Sequence, residues 1–90
     1  MEKSLVSREY QLFLASLRRA REKSGLTQEG LAKKLGETQS FISKVERGER
    51  RLDVVELRAF CGALRIPFPA FVNEFHQAIS ASERSRCKNQ

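Results

Sequence analysis

The 90-residue chain has no tryptophan, one tyrosine, one methionine, one histidine, two prolines and two cysteines. Each scarcity narrows what the chain can be. Cys61 and Cys87 form no CxxC and stand far from His76, so no zinc-ligand spacing exists and neither a metal nor a cofactor is expected. One histidine, no carboxylates paired in a cleft-like setting and no glycine-rich phosphate loop leave no assembled catalytic constellation, so an enzyme is not expected. No segment approaches the run of about 18 apolar residues that crosses a bilayer. The opening MEKSLVSREY has no hydrophobic signal region, and cysteine is sparse, so a reducing cytoplasm is expected. Strand-like alternation of apolar and polar residues is nearly absent, whereas helical spacing recurs throughout. One small all-α domain over residues 1–80 follows, because two independent cores would be too small to be stable.

The chain carries a formal charge of +6. Residues 1–26 hold six Lys/Arg against three Asp/Glu, residues 27–52 six against four, and residues 53–90 five against four, so +5 of the +6 falls before residue 53. A basic surface suits a polyanion, since neutralised phosphates release condensed counterions. Many soluble domains reach this charge without binding one.

Five helices are expected. The first runs from about Ser7 to Ser24, with Ser7 as N-cap, Glu9 in the positive first turn, and Tyr10, Phe13, Leu14 and Leu17 as its apolar stripe. Arg21 continues that stripe, which is unusual for a core face. Gly25 is a natural left-handed stop. The second helix starts at Thr27 as N-cap, with Leu26 and Leu31 as a hydrophobic staple, and ends at Gly36. Gly30 at its third position costs up to about 1 kcal/mol against alanine. The third helix starts at Thr38, buries Ile42 and Val45, and ends at Gly48. The fourth has the strongest start signal: Asp53 and Glu56 form a capping box, and Leu52 and Leu57 a staple. Its face is Leu57, Phe60, Cys61 and Leu64. The fifth begins near Phe68 or Pro69 and carries Phe68, Phe71, Val72, Phe75 and Ile79 to about residue 80. The polar segment 81–90 is expected to be a flexible tail.

The central segment is Leu26-Thr-Gln-Glu-Gly-Leu-Ala-Lys-Lys-Leu-Gly36, followed by Glu37-Thr-Gln-Ser-Phe-Ile-Ser-Lys-Val-Glu-Arg-Gly48. A short helix, a glycine-bearing turn and a second short helix form a helix-turn-helix core over 27–47. The polar side chains cluster at the start of the second of these helices, 38–47, while Ile42 and Val45 anchor the rest. The pattern LTQ…LA..LG..QS.IS..E.G resembles the Cro/C1-type, or Xre, helix-turn-helix family of phage and bacterial repressors, over roughly Phe13 to Ile66. The resemblance implies a five-helix lambda-repressor-like fold that places helix 38–47 in the major groove of double-stranded DNA.

It also implies roles for single residues. Gln28 matches the family glutamine that touches a DNA phosphate; the alternative is an exposed first-turn polar residue. Gln39 and Ser40 match positions that reach base edges, and glutamine pairs with adenine N6 and N7. Lys44, one turn on, reads guanine or binds phosphate only. Ser43 contacts backbone. Arg47, Arg50 and Arg51 follow the recognition helix where family members track the phosphates; the alternative is a solvated charge cluster. Arg18 and Arg19 are weaker candidates. Phe41 either touches a thymine methyl or folds back over the second helix. Arg21 and Glu46 match a buried ion pair that sets how the recognition helix is presented. Two positions depart from the family pattern: Glu37 puts an acid near the DNA-facing turn, and Arg65 replaces the usual glycine after the fourth helix.

A single helix reads few base pairs, so a homodimer on a palindromic operator is expected. The stripe Phe68, Phe71, Val72, Phe75 and Ile79 exceeds what one short helix needs for the core and is the expected interface; the alternative is that all five pack inward. The length and fifth helix also resemble restriction–modification controller proteins. The leading expectation is a small transcriptional regulator, such as a repressor, without an effector module. The alternative is an antitoxin that binds both its toxin and its operator, although nothing in the sequence identifies a toxin-binding tail; segment 81–90 is the part that would order on such a partner.

Overall fold

The structure, a computed structural model, describes residues 7–88, with side chains from 7 to 84. Five α-helices follow one another: α1 (Arg8–Lys23), α2 (Gln28–Leu35), α3 (Gln39–Glu46), α4 (Val54–Leu64) and α5 (Phe68–Lys88). No strand occurs among the described residues.

Each of the first four helices starts where a side-chain oxygen accepts an otherwise orphaned backbone N–H. Ser7 accepts from the Tyr10 N–H, Thr27 from Gly30, Thr38 from Phe41 and Asp53 from Glu56. At α4 the Glu56 carboxylate returns the favour to the Asp53 N–H at 3.0 Å, which completes the capping box. The ends are left-handed turns. Gly36 caps α2 at φ 70°, and Gly48 follows α3 at φ 82°. Arg65 caps α4 at φ 61°, the one non-glycine residue in this region of backbone space among those described.

All five helices contribute to one core. α1 supplies Phe13, Leu14 and Leu17; α2 supplies Leu31 and Ala32; α3 supplies Ile42 and Val45; α4 supplies Phe60, Cys61 and Leu64; α5 supplies Phe71. Full burial of a leucine, isoleucine or phenylalanine contributes about 1.5–3 kcal/mol. α2 packs on α3 and α4, and α1 packs on α5 and α3. The helix-turn-helix is thus clamped between its own hydrophobic faces and the α1 stripe. Burial pushes the Cys61 thiol above its ordinary range, which makes it an inert core thiol.

Two expectations about the fifth helix are corrected. The helix does not stop near residue 80. It runs to Lys88, so the segment expected as a flexible tail is helical over 81–88. Ala81, Glu83 and Arg84 are good helix formers, and Arg8 Nε donates to Ser82 Oγ at 3.2 Å, which ties this turn to α1. Residues 89 and 90 lie outside the described residues. Phe71 does not face outward. It is 2% exposed and meets Phe13 edge-on at 6.0 Å between ring centres, because α5 needs that ring to close the core over α1.

Candidate nucleic-acid interface

The start of α2 and the outer face of α3 sit side by side, and a chain of polar contacts runs between them from the interior to the surface. It begins at Arg21, whose side chain is 10% exposed, and Glu46, at 6%. Arg21 Nε donates to Glu46 Oε2 at 2.6 Å and Nη2 to Oε1 at 3.2 Å, while Nη1 donates to the Leu26 carbonyl at 2.9 Å. The ion pair therefore ties α1 to α3 and to the residue before the α2 cap.

An ionised carboxylate can only accept. Gln28 accordingly turns its amide nitrogen to Glu46 Oε1, at 3.0 Å. Its amide oxygen is left facing the neighbouring helix, where Gln39 Nε2 donates to it over a longer 3.4 Å. The orientation of the Gln39 amide is thus dictated from the buried ion pair outward. Its oxygen and its second N–H remain for another partner, the donor–acceptor pair that adenine N7 and N6 require. Gln28 is half-buried, so its side chain braces Gln39. Its backbone N–H belongs to the first turn of α2, at the positive end of that helix. Gln39, Ser40 and Lys44 are exposed together on α3, and Ser43 is half-buried beside them.

The arginines after α3 are all engaged within the chain. Arg47 forks onto Glu49, Nε to Oε2 at 3.0 Å and Nη2 to Oε1 at 3.2 Å, and its Nη1 donates to Ser43 Oγ. Its guanidinium is held above the ordinary arginine value by that hydrogen bond and by the Glu49 charge. Arg50 forks onto Glu56, both contacts at 2.8 Å, and stacks 5.0 Å over the Phe41 ring centre. The Glu56 hydrogen bond, foremost, raises its guanidinium, and Glu37 adds a further upward push. The acid in the turn between α2 and α3, Glu37, shares a shallow notch with Phe41 and Glu56. Arg51 lies over the Tyr10 ring at 4.3 Å.

Phe41 folds back. It is half-buried and lies 6.4 Å from Phe60, which leaves the outer face of α3 to its polar residues. Tyr10 has a role that its place in an apolar stripe does not reveal. Its hydroxyl accepts from the Leu52 N–H at 3.3 Å, so it fixes the loop that carries the arginines. Arg18 pairs with Glu22 on the surface of α1 at 3.2 Å.

A second surface lies around α5. Phe68 and Phe75 are half-buried, Ile79 likewise, and Val72 is 40% exposed. Phe68, Val72 and Phe75, with Tyr10, Leu52, Val54 and Leu57, border an apolar groove of about 380 Å³ between α1, α4 and α5, and Ile79 lies outside it. Val54 and Val55 open α4 at 65% and 74% exposure, an apolar pair that helical periodicity alone does not single out. No cluster of metal-ligating side chains occurs among the described residues, and none of the helices there is long and apolar enough to cross a membrane.

The comparisons with known proteins agree with this geometry. A family model described as HTH_3, helix-turn-helix, matches residues 17–71, a span that contains every residue of the polar chain from Arg21 to Glu46. No curated protein matches the sequence. Among solved structures, an XRE-family like protein from Pseudomonas syringae pv. tomato is 41% identical, over 78% of this chain and 85% of its own, with a TM-score of 0.73. A point mutant of the restriction–modification controller protein C.Esp1396I is 27% identical over 82% and 94%, with a TM-score of 0.75. The clp gene regulator ClgR from Corynebacterium glutamicum shares the fold at 23% identity, over 91% and 89%, with a TM-score of 0.72. With its helix-turn-helix at α2 and α3, this chain belongs to the XRE (Cro/C1-type) helix-turn-helix family of DNA-binding transcription regulators.

Proposed function

We propose that the protein is a sequence-specific regulator that binds double-stranded DNA as a homodimer, with α3 in the major groove. The observation that carries the reading is the polar chain Arg21–Glu46–Gln28–Gln39. It runs from a buried ion pair to an outward amide and fixes that amide before any DNA arrives. Preorganised donors and acceptors lose less entropy on binding, which favours direct base readout. Gln39, Ser40 and Lys44 read base edges. The backbone of Gln28, the hydroxyl of Ser43 and the guanidinium groups of Arg47 and Arg51 meet phosphate.

Arg50 contributes less to phosphate binding than its position suggests. Its fork on the capping-box glutamate and its stacking on Phe41 make it a brace between the loop and α4.

The dimer reading is supported by the apolar groove. Val72 and Val54 are exposed at the groove, and the half-buried Phe68 and Phe75 border it beside them. Exposed apolar surface gathered in one place marks an interaction site more often than scattered residues do. The antitoxin alternative requires a tail free to order on a toxin. α5 already takes residues 81–88 into helix, which favours the simple regulator.

Sedimentation of the protein alone and on a selected operator duplex tests the reading. The expected result is a dimer on a two-fold symmetric site. A monomer in both states at micromolar concentration would contradict it.

A further inference from the structure

We propose that Glu49 is an autoinhibitory residue that restrains DNA binding. Its carboxylate occupies Arg47 in the free protein, and so lowers affinity for DNA. The inference rests on the DNA-binding reading above.

The position of Glu49 is set by the end of the recognition helix. Gly48 adopts φ 82° and is buried, and the chain reverses there. The Glu49 N–H then returns to the Lys44 carbonyl at 2.9 Å, joined by the Arg50 N–H at 3.2 Å. This turn carries the Glu49 side chain back along the last turn of α3. There the carboxylate meets the guanidinium of Arg47 fork to fork, at 3.0 and 3.2 Å, while the third nitrogen of Arg47 takes Ser43 Oγ. All three nitrogens are engaged inside the proposed interface. The two side chains are 55% and 51% exposed, so the bond is open to exchange with an incoming anion. The Glu49 carboxyl is held below its ordinary range by the Arg47 hydrogen bond, then by the Arg47 charge, with Lys44 adding to it.

A comparison within the molecule separates this pair from a purely architectural one. Glu56 also holds an arginine fork, but it caps α4 as well, and its arginine stacks on Phe41. The Glu49 side chain caps nothing among the described residues. Its one hydrogen-bonded partner there is Arg47.

The consequence follows from what a phosphate must do. To bind Arg47 it displaces a carboxylate of the same charge and similar fork geometry, and it leaves that carboxylate unpaired at its side. Binding to arbitrary sequence consists of phosphate contacts and counterion release, so it bears this penalty with nothing to offset it. A cognate site adds base contacts from Gln39, Ser40 and Lys44. Both kinds of complex bear the penalty, and the cognate one has base contacts to overcome it, so Glu49 acts as a brake on DNA binding as a whole.

The test is Glu49→Gln in the full chain, with fluorescence anisotropy on a random-sequence duplex and on a selected operator across a salt series. The carboxamide removes the charge and nearly keeps the shape. At about 0.1 M salt the variant should bind the random duplex about five- to tenfold more tightly, with a log–log salt slope steeper by about one. Operator affinity should rise by a similar factor, because the same phosphate contact is freed in both complexes. Glu74→Gln, an equal charge change on exposed α5, should leave random-duplex affinity and slope as in wild type. An unchanged affinity and slope in Glu49→Gln would overturn the proposal. So would weaker binding, which would make Glu49 a residue that orients Arg47 toward phosphate, or an equal gain in Glu74→Gln, which would reduce the effect to net charge. Wild-type protein that bound no duplex at any salt would instead overturn the DNA-binding reading itself.

Discussion

Arg21 and Glu46 face each other as two forks across the α1–α3 contact, with Nε 2.6 Å from Oε2 and Nη2 3.2 Å from Oε1. Both side chains are nine-tenths or more buried, and each has a further partner, the Leu26 carbonyl for the arginine and the Gln28 amide for the glutamate. Such a pair contributes little net stability when intact, because desolvation offsets attraction. Removing one partner strands the other charge and costs about 3–5 kcal/mol. Arg21→Met should lose that amount in urea unfolding, a large share of the roughly 5–15 kcal/mol that holds a domain together. An unchanged denaturation midpoint would remove the pair from the account of the fold.

The same carboxylate orients Gln28, and Gln28 orients Gln39, so the two glutamines should behave as one unit on DNA. Gln39→Ala should weaken operator binding by about 1–3 kcal/mol and relax preference at one base pair. Gln28→Ala should cost less once Gln39 is already gone. A double-mutant cycle on the operator should give a coupling of at least about 0.5 kcal/mol. Strict additivity would mean that Gln39 needs no orientation by its neighbour.

Arg65 stands at φ 61°, where a side chain with a Cβ costs about 1–2 kcal/mol. Glycine gives back part of that through its greater freedom in the unfolded chain. Arg65→Gly should therefore raise stability by about 1 kcal/mol in thermal or urea unfolding. Gly62, inside α4, has open space where a Cβ would stand, so Gly62→Ala should add about 0.5–1 kcal/mol independently.

Acid should loosen the loop after α3. The Glu56 carboxyl is held below its ordinary value of 4.5 by the Arg50 hydrogen bond, then by the Asp53 backbone N–H. The Glu49 carboxyl is lowered from the same value, first by Arg47. Both groups give up their protons more readily in the folded chain than in the unfolded one. The stability they contribute is complete above that ordinary value and is lost as pH falls through the depressed folded-state values. The melting temperature should decline as pH drops below about 4.5, and Glu56→Gln should flatten that decline. An identical profile in wild type and variant would show that the Arg50–Glu56 fork adds nothing.

What the sequence revealed and what it hid divides by distance along the chain. The four capped helix starts at Ser7, Thr27, Thr38 and Asp53 involve an oxygen and an N–H three residues apart, so residue type and spacing suffice to find them. The left-handed ends at Gly36 and Gly48 were legible for the same reason. Contacts that span the fold left weaker traces. Nothing local joins the Leu52 N–H to the Tyr10 hydroxyl, 42 positions away, and nothing local hands Gln28 to Glu46. Phe71 looked like Phe68 and Phe75 because all three lie on one stripe; only the rotation of α5 against Phe13 separates the buried ring from its neighbours. The arginines after α3 read as a free basic rail, whereas the folded loop brings Glu49 and Glu56 to them. Val54 and Val55 leave no trace in the sequence, because two adjacent valines in a first helical turn look the same whether that turn is covered or exposed.

Selection of bound duplexes from a random pool tests the central claim most directly, because it reports base readout and symmetry together. The account predicts enriched sites with two-fold symmetric half-sites whose centres lie about one helical turn apart, roughly 34–36 Å. It also predicts that Gln39→Ala loses selectivity at one position in each half. Recovery of duplexes without shared sequence, at affinities that depend only on salt, would contradict the claim that α3 reads DNA.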